Sequence, residues 1–365
     1  MLHLPAPALP RDPASVQGGD LTQFPPGQIV TDLSICANRY GPPPSALDAV
    51  RALVDERPGD LVPPPYGAEE RYLQAFAEHL GVQAADLLPG RGVSEFIAVL
   101  SRILRRTGTV AVVSPDYTET MQRFSYATFY GPANAARDTV EARLSRVHEA
   151  MWRHPVVWLS NPSNPLGHFI PPEALLEVAL QRPESLLVVD EEYVEFQGQG
   201  LSLAGADADN LVILTSSGKA WGLVGTRAGI LWTRNERLRE RVRAELISWP
   251  LGLLDTHAAS AALNDEHWLR RVRPVIQHDA RLLHEALVER FDELVSDADI
   301  HFRFVHLLDP HPVAAHLADH GIAVRLFDGS GHSASGIRVT APTGPTELAQ
   351  LRAALDSLPA GWGLS

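Results

Sequence analysis

The sequence has very little cysteine and no long apolar run. Its 365 residues include a single cysteine, Cys36, which excludes an internal disulfide and makes a cysteine-based metal site implausible. No stretch approaches the roughly 18 consecutive apolar residues that a membrane span requires. The first 20 residues carry prolines, glycines and acids where a secretory signal would need an apolar segment. These absences, together with the reducing compartment that scarce cysteine suits, predict a soluble cytoplasmic protein.

Positive charge is also in short supply. The 31 lysines and arginines are outnumbered by 44 acids, giving a formal net charge of −13. A nucleic-acid binder is therefore not expected, because binding to a phosphate backbone needs a basic face. Small anionic substrates remain possible, since a local cluster of arginines can override the overall charge. With 45% hydrophobic and 21% charged residues, the composition is otherwise that of an ordinary globular protein.

The chain divides into three predicted parts. Residues 1–44 are rich in proline and indicate an extended N-terminal arm. Residues 45–265 alternate helical patterns with continuous apolar runs such as "PVVWLSNP", "SLLVVDEEY" and "NLVILTSS". Such runs between helices predict a large, doubly wound, mostly parallel α/β domain. Residues 266–365 begin with a long helical pattern and continue with three strand-like runs and two helices, so we expect a small α+β domain there.

Polar side chains follow the predicted strands of the larger part. They are Tyr117 after "VVSPD", Asn164 in "LSNPSNPLG", Asp190 and Tyr193 in "LLVVDEEY", and Ser216 and Lys219 in "ILTSSGK". In open α/β sheets, ligands bind beyond the carboxyl ends of the strands. A helix start such as "GRGVSEF" offers free N–H groups to an anion there. Arg227, eight residues after the lysine, adds a second cation in an apolar neighbourhood.

One ligand, pyridoxal 5'-phosphate (PLP), would use all of these groups. A lysine can form a Schiff base with its aldehyde, and a carboxylate can pair with its ring nitrogen. Hydroxyls, N–H groups and an arginine suit its phosphate. An aromatic ring can stack on the cofactor, and Asn and Tyr can hydrogen-bond its phenolic oxygen. The order and placement of these residues, rather than any one of them, support the prediction.

The sequence resembles the class I/II, fold-type I PLP-dependent aminotransferases, especially their histidinol-phosphate aminotransferase branch. The resemblance covers nearly the whole chain from about residue 34. "ANRYGPPP" is similar to the branch's "NENPYGP", "LPGRGVSEFI" to its phosphate-binding helix start, and "NPSNPLG" to its "NPNNPTG". "VVDEEYVEF" is close to "VVDEAYIEF", and "SSGKAWGLVGTRAG" to "TLSKAFALAGLRCG". "GIAVR" and "GIRVT" keep the two C-terminal arginines of the branch.

The resemblance implies a role for each matching residue. Lys219 would carry the Schiff base and move a proton between the substrate α-carbon and cofactor C4′, and Asp190 would keep the pyridine nitrogen protonated. Tyr117 would stack on the ring, and Asn164 and Tyr193 would bind the phenolic oxygen. The expected phosphate contacts are Ser94 and Glu95, both through backbone N–H, and Ser216, Arg227 and Tyr66. The expected substrate contacts are Tyr40, Asn164, Arg325 and Arg338. Tyr40 and Tyr66 would reach the site of the neighbouring subunit, so a homodimer with shared active sites is implied.

Three departures from the branch bear on the substrate. Gly218 stands before the lysine where the branch has serine, "NPLG" replaces "NPTG", and "ANRYG" lacks the branch's glutamate and proline. They indicate a changed substrate, such as that of a biosynthetic enzyme for an unusual amino acid. We expect amino transfer between an amino acid, or an amine with a distal anion such as histidinol phosphate, and a 2-oxo acid. The alternative is a PLP-dependent decarboxylase resembling threonine-phosphate decarboxylase, or a tailoring enzyme for an arginine-derived amino acid.

Two further patterns are interpreted without a function. Glu191 and Glu192 are adjacent in a predicted strand and should point to opposite faces, which indicates structural roles. His316 and His320 have a helical spacing that can bind metal. No third ligand is evident, so a solvated helix face and no metal are expected.

Overall fold

The structure is a computed structural model that describes residues 18–106, 108–359 and 361–362. The first 17 residues of the predicted arm thus lie outside the described residues. The strands are β1 (Thr31–Asp32), β2 (Leu87–Arg91), β3 (Val110–Val112), β4 (Thr128–Phe129), β5 (Val156–Ser160), β6 (Leu186–Asp190), β7 (Leu211–Ser216), β8 (Ala228–Trp232), β9 (Phe302–His306), β10 (Ile322–Ala323), β11 (Arg325–Asp328) and β12 (Ser335–Thr340).

Helices alternate with strands from β2 to β7, as the sequence predicts. The helices are α1 (Pro44–Glu56), α2 (Ala68–Leu80), α3 (Gly92–Leu104), α4 (Thr118–Arg123), α5 (Val140–Arg153), α6 (Pro172–Gln181), α7 (Val194–Gln197), α8 (Glu236–Arg243), α9 (Leu253–Asn264), α10 (Glu266–Phe291), α11 (His311–Asp319) and α12 (Gly344–Asp356). Their ends follow local chemistry. Gly81 ends α2 in the left-handed conformation, which glycine adopts without strain, and the Thr139 side chain accepts the Ala142 N–H at the start of α5.

Seven strands form the central sheet, in the order β2-β8-β7-β6-β5-β3-β4. Neighbours from β7 to β4 pair in parallel, whereas β8 runs antiparallel to both β7 and β2. The large, mostly parallel α/β sheet predicted from the sequence is therefore confirmed.

The apolar runs of the central strands are buried on both faces of the sheet. Val157 and Val189 contribute to the core on one face, whereas Trp158 and Val188 contribute to the core on the other. Both sets of side chains are buried, so each face of the sheet is covered, as in α/β sheets with helices on both faces. Since hydrogen bonding fixes the strands in register, the ends of β5 and β6 meet, with Ser160 opposite Asp190.

The C-terminal part of the chain builds a separate small sheet. β11, β12 and β9 form an antiparallel sheet in the order β11-β12-β9, next to the long helix α10. The described part of the N-terminal arm lies against this region, because β1 pairs in parallel with β10. The division into domains at residue 266 stays a prediction. Among the described residues, no helix is both long and apolar enough to cross a membrane.

Candidate active site

A cavity of about 350 Å³ opens at the carboxyl ends of the central strands. It is lined by most of the residues singled out in the sequence: Ser94, Tyr117, Asn164, Asp190, Tyr193, Ser216, Lys219, Arg227, Arg325 and Arg338. These residues come from strands, loops and the start of α3, spread over more than two hundred positions of the chain. The sheet register brings them together, as ligand sites in open α/β sheets require.

Lys219 lies in a tight turn after β7. Gly222, which adopts a positive φ of 67°, donates its N–H to the Lys219 carbonyl, and Leu223 donates to the Gly218 carbonyl. A residue of the N-terminal arm also stabilises this turn, because Asn38 donates its backbone N–H to the same Lys219 carbonyl. Burial lowers the pKa of the Lys219 amine, opposed by the charge of Glu192. A less basic lysine has more of the neutral amine that can attack an aldehyde.

Asp190 ends β6 at the floor of the cavity. One of its carboxylate oxygens accepts the backbone N–H of Glu192 at 3.0 Å. Burial, and after it the negative charges of Glu192 and Asp116, raise the pKa of Asp190 well above its ordinary value. A cation bound opposite this carboxylate would restore its ionised form. The protonated ring nitrogen of PLP is such a cation.

A buried ion pair holds the side of the cavity that carries Tyr117. Asp116 accepts the N–H groups of Tyr117 and Ser160, both at 2.7 Å, and the Ser160 hydroxyl at 2.9 Å. Arg143 of α5, which is fully buried, lies 3.6 Å from the same carboxylate. Ser160 in turn accepts the N–H of Asn164. The pair therefore positions two of the predicted cofactor contacts.

Replacing Arg143 with alanine is expected to lower the free energy of unfolding by about 3–5 kcal/mol, because it leaves a buried carboxylate without its cation. Urea unfolding of the variant and the parent measures the difference. Arg102→Ala, which removes a largely exposed partner of Glu245, should cost less than about 1 kcal/mol. Equal losses in the two variants would contradict a special role for the buried pair.

Another part of the cavity is formed by glycine backbone at the start of α3 and by the guanidinium group of Arg227. Gly92 begins α3 with a positive φ of 69°, and a Cβ on it would lie 3.0 Å from a guanidinium nitrogen of Arg227. A Cβ on Gly229 would lie 2.8 Å from the Gly92 Cα. Both glycines are therefore needed for close approach. With Ser94 in the first turn of α3, the helix N-terminus and Arg227 fit a phosphate group.

Gly218 contributes to this part of the cavity through its backbone. It donates its N–H to the Ser216 hydroxyl at 3.0 Å. A Cβ at Gly218 would lie 3.1 Å from the Ser216 oxygen, closer than ordinary van der Waals contact. The glycine that departs from the branch's serine thus leaves room for the Ser216 side chain.

Two arginines of the small sheet face the same cavity. Arg325 and Arg338 are direct cross-strand partners in β11 and β12, and both guanidinium groups lie over the Phe327 ring. Arg338 donates to the Asn164 side-chain oxygen and to the Ser34 carbonyl, while its buried Nε has no hydrogen-bond partner among the described residues. Burial and the neighbouring Arg338 lower the pKa of Arg325 to about 10. Two buried cations at one cavity favour an anionic ligand.

Three predicted site residues lie outside the cavity. The Tyr40 hydroxyl donates to Asp279, and Tyr66 is 71% exposed and packs edge-on against Trp249. The Glu95 carboxylate accepts the Arg91 N–H. Tyr40 and Tyr66 were assigned to the neighbouring subunit, and the roles of all three stay predictions.

Sequence reasoning missed several residues that line the cavity, among them Gly18, Ser160, Thr226 and Glu192. Glu192 had a visible signal, because "DEEY" has a glutamate where the branch's "DEAY" has alanine. Both glutamates follow the end of β6 at Asp190 and are not in the strand as predicted, yet they point to different surroundings: Glu191 accepts the Ser202 hydroxyl and the Leu203 N–H in the core. A purely structural interpretation therefore suits Glu191 and not Glu192.

Comparison with known proteins gives matches over nearly the whole chain. The model of the family "Aminotransferase class I and II" matches residues 28–358. Histidinol-phosphate aminotransferase 2 of Rhizobium meliloti is 30% identical over 329 residues, which cover 87% of this chain and 90% of that protein. Histidinol-phosphate aminotransferase 1 of Pseudomonas aeruginosa is 29% identical over 316 residues, covering 84% and 89%.

Solved structures show the same fold. Histidinol-phosphate aminotransferase from Sinorhizobium meliloti in complex with pyridoxal-5'-phosphate superposes with a TM-score of 0.72 at 23% identity, over 89% of this chain and 90% of that one. L-threonine-O-3-phosphate decarboxylase from Porphyromonas gingivalis gives the same TM-score at 17% identity, over 89% and 98%. The fold alone therefore does not separate the two reactions.

The sheet, the cavity and these matches define a PLP-dependent enzyme of fold type I. The chain belongs to the class I and II aminotransferase family and is similar to its histidinol-phosphate aminotransferase branch. It is a PLP-dependent aminotransferase, so the predicted class and cofactor are confirmed. The residues of the cavity fit PLP, with a carboxylate, an amine and an anion site in the expected places.

Proposed function

We propose that the protein transfers an amino group between an amino acid and a 2-oxo acid, with Arg338 binding the substrate anion. The observation that supports this most is the pair of buried guanidinium groups that share one cavity with Lys219. A planar guanidinium with a free Nε can bind a carboxylate through two parallel hydrogen bonds. An amine with a distal anion, such as histidinol phosphate, would use the same two cations.

The chain's own residues would divide the work in this reaction. PLP, when bound, supplies the aldehyde and a ring that withdraws electrons from the substrate α-carbon. Lys219, a buried amine with a lowered pKa, accepts and returns the proton at that carbon. Asp190 keeps the ring nitrogen charged, and Tyr117 stacks on the ring. Asn164 and Tyr193 would bind the phenolic oxygen, and Ser94, Glu95, Ser216 and Arg227 the phosphate.

We also propose that the reaction belongs to amino-acid biosynthesis in the cytoplasm, and the relatives named as histidinol-phosphate aminotransferases support the biosynthetic role. We further propose that the substrate differs from that of the branch. Two departures from the branch support this: Gly218 lines the cavity, and Leu166 of "NPLG" belongs to the same buried cluster as Phe327, which lines it. An unusual amino acid, made by a dedicated pathway, would account for these changes.

The reaction is tested by mixing the PLP-bound protein with a panel of amino acids and phosphorylated amines. Productive donors should convert the cofactor to its pyridoxamine form, which absorbance follows, and release the corresponding 2-oxo acid, ketone or aldehyde. Failure of every donor would contradict the proposal. Release of carbon dioxide without a 2-oxo product would instead identify a decarboxylase of the threonine-phosphate type.

Replacing Arg338 with lysine is expected to reduce kcat/KM about 10²-fold, chiefly through KM. Lysine keeps a charge but offers neither a planar fork nor bidentate geometry, and truncating one partner of a buried charge pair typically costs about 2–5 kcal/mol. Steady-state kinetics with the best donor measures the loss, and a cofactor titration serves as the control, since PLP affinity should hold. A weaker effect than that of Arg325→Lys would point to Arg325 as the main anion ligand.

We also propose that the protein is a homodimer with shared active sites. Apolar side chains are exposed at Leu61, Val62 and Tyr66 and at Ile247 and Trp249, with Val62 87% accessible, and the Tyr66 and Trp249 rings pack edge-on. This group includes one of the two tyrosines assigned to the neighbouring site, and exposed apolar patches often mark interfaces. Trp249→Glu should therefore shift the protein to monomers in analytical ultracentrifugation and lower its activity. A variant that stays dimeric and active would contradict this interface.

A further inference from the structure

Glu192 places a carboxylate among the groups expected to hold the cofactor phosphate. Its Oε1 accepts the hydroxyl of Ser216 at 2.8 Å. Its Oε2 is buried and has no hydrogen-bond partner among the described residues. Ser216, Lys219 and Arg227 line the same cavity.

Neighbouring positive charges stabilise the ionised form of the Glu192 carboxylate in this position. Burial raises the pKa of Glu192, whereas Lys219, the Ser216 hydroxyl and Arg227 each lower it. The carboxylate thus uses the Ser216 hydroxyl and the positive charge of Arg227, both of which the phosphate would also use. A serine hydroxyl has a single proton to donate, so Ser216 can serve Glu192 or the phosphate at one time.

An alanine at this position, as in the branch's motif, would reach none of these groups. The glutamate adds one negative charge to a subsite whose ligand is itself an anion. Like charges at short range in a cavity screened from water repel more strongly than on the surface.

We propose that Glu192 competes with the cofactor phosphate for its binding site, occupying the Ser216 hydroxyl in the free protein and opposing the phosphate by its charge. Binding of PLP requires that the carboxylate leave Ser216 or take up a proton. The protein consequently holds its cofactor less tightly than its phosphate site would otherwise allow, and the cofactor exchanges more readily. Glu192 is thus a positioning residue for cofactor exchange and not a catalytic group.

The test is the dissociation constant of PLP, measured by absorbance titration of cofactor-free protein. Glu192→Gln removes the charge and keeps the shape, and Glu192→Ala removes the competing group altogether. We expect the affinity to rise from the parent to E192Q to E192A, with E192A at least about tenfold tighter. PLP should also leave E192A more slowly.

Glu119→Gln is the matched control. Glu119 lines the same cavity from α4, where it lies 3.6 Å from Arg123. Its replacement removes one equal charge from the cavity without freeing Ser216, so the affinity should change by less than about threefold. A gain in E119Q as large as that in E192Q would overturn the proposal, because it would reflect only the net charge of the cavity.

Inorganic phosphate gives a second measurement that involves no covalent link and no turnover. Calorimetric titration of the cofactor-free proteins should show phosphate binding E192A more tightly than the parent. Equal or weaker binding of both PLP and phosphate by E192A would overturn the inference. Because these are binding measurements, they stand apart from the proposed substrate: failure of the donor screen leaves them unaffected, and the reverse also holds.

Discussion

Replacing Lys219 with alanine is expected to abolish the visible absorbance of the lysine-bound cofactor and to reduce amino transfer by at least about 10³-fold. The variant loses two functions at once. It has no amine to link to the aldehyde, and it has no group to carry the proton at the substrate α-carbon, where positioned acid–base groups contribute about 10²–10⁴-fold. The site lies at the end of β7 with no second lysine lining the cavity among the described residues.

Two further variants define this effect. Lys219→Arg keeps a cation in the turn but supplies no amine for the aldehyde, so it should be as inactive as the alanine variant. Ser217→Ala changes a buried neighbour whose hydroxyl is bonded to the Ala228 carbonyl, and it should keep the absorbance. Absorbance that persists in Lys219→Ala would show that another amine binds the cofactor.

Much of the central sheet could be predicted because its information is local. The runs at β5, β6 and β7 are continuous and apolar, which is typical of strands buried on both faces. The reversed direction of β8 could not be predicted in the same way. "AGILWT" is apolar whichever way the strand runs, and direction is set by pairing with distant residues.

The site residues likewise fall into those that the sequence predicts and those that only the folded structure shows. Lys219 and Arg227 were found from their spacing on one turn, and the sheet brings them to one cavity. Arg143 was missed, because a charged residue on a helix normally faces solvent and only packing shows its burial beside Asp116. Alternation along a strand predicted that Glu191 and Glu192 face apart, whereas β6 ends at Asp190 and both glutamates follow it. Which of them meets the cavity therefore depends on the tertiary structure.

Replacing Asp190 with asparagine is expected to lower kcat by about 10²–10⁴-fold while the protein still binds PLP. An asparagine fills the same space and can hydrogen-bond the ring nitrogen, but it carries no charge to keep that nitrogen protonated. In the free protein, burial, Glu192 and Asp116 all raise the pKa of Asp190. A cation in the cavity would favour its ionised form, so in the proposed site the ring and the carboxylate would stabilise each other's charged forms. The electron-withdrawing power of the ring follows from that pair.

Asp190→Glu separates charge from geometry in this prediction. It keeps a carboxylate at the end of β6 but moves it by one methylene, so it should retain more activity than the asparagine variant if charge dominates. Single-turnover absorbance changes with a good donor report the chemical step directly, and a PLP titration shows that each variant is fully loaded. A kcat for Asp190→Asn within about threefold of the parent would mean that the ring nitrogen does not depend on this carboxylate. The proposed mechanism would then rest on Lys219 alone, because the proposal places the two residues at opposite ends of the same conjugated ring.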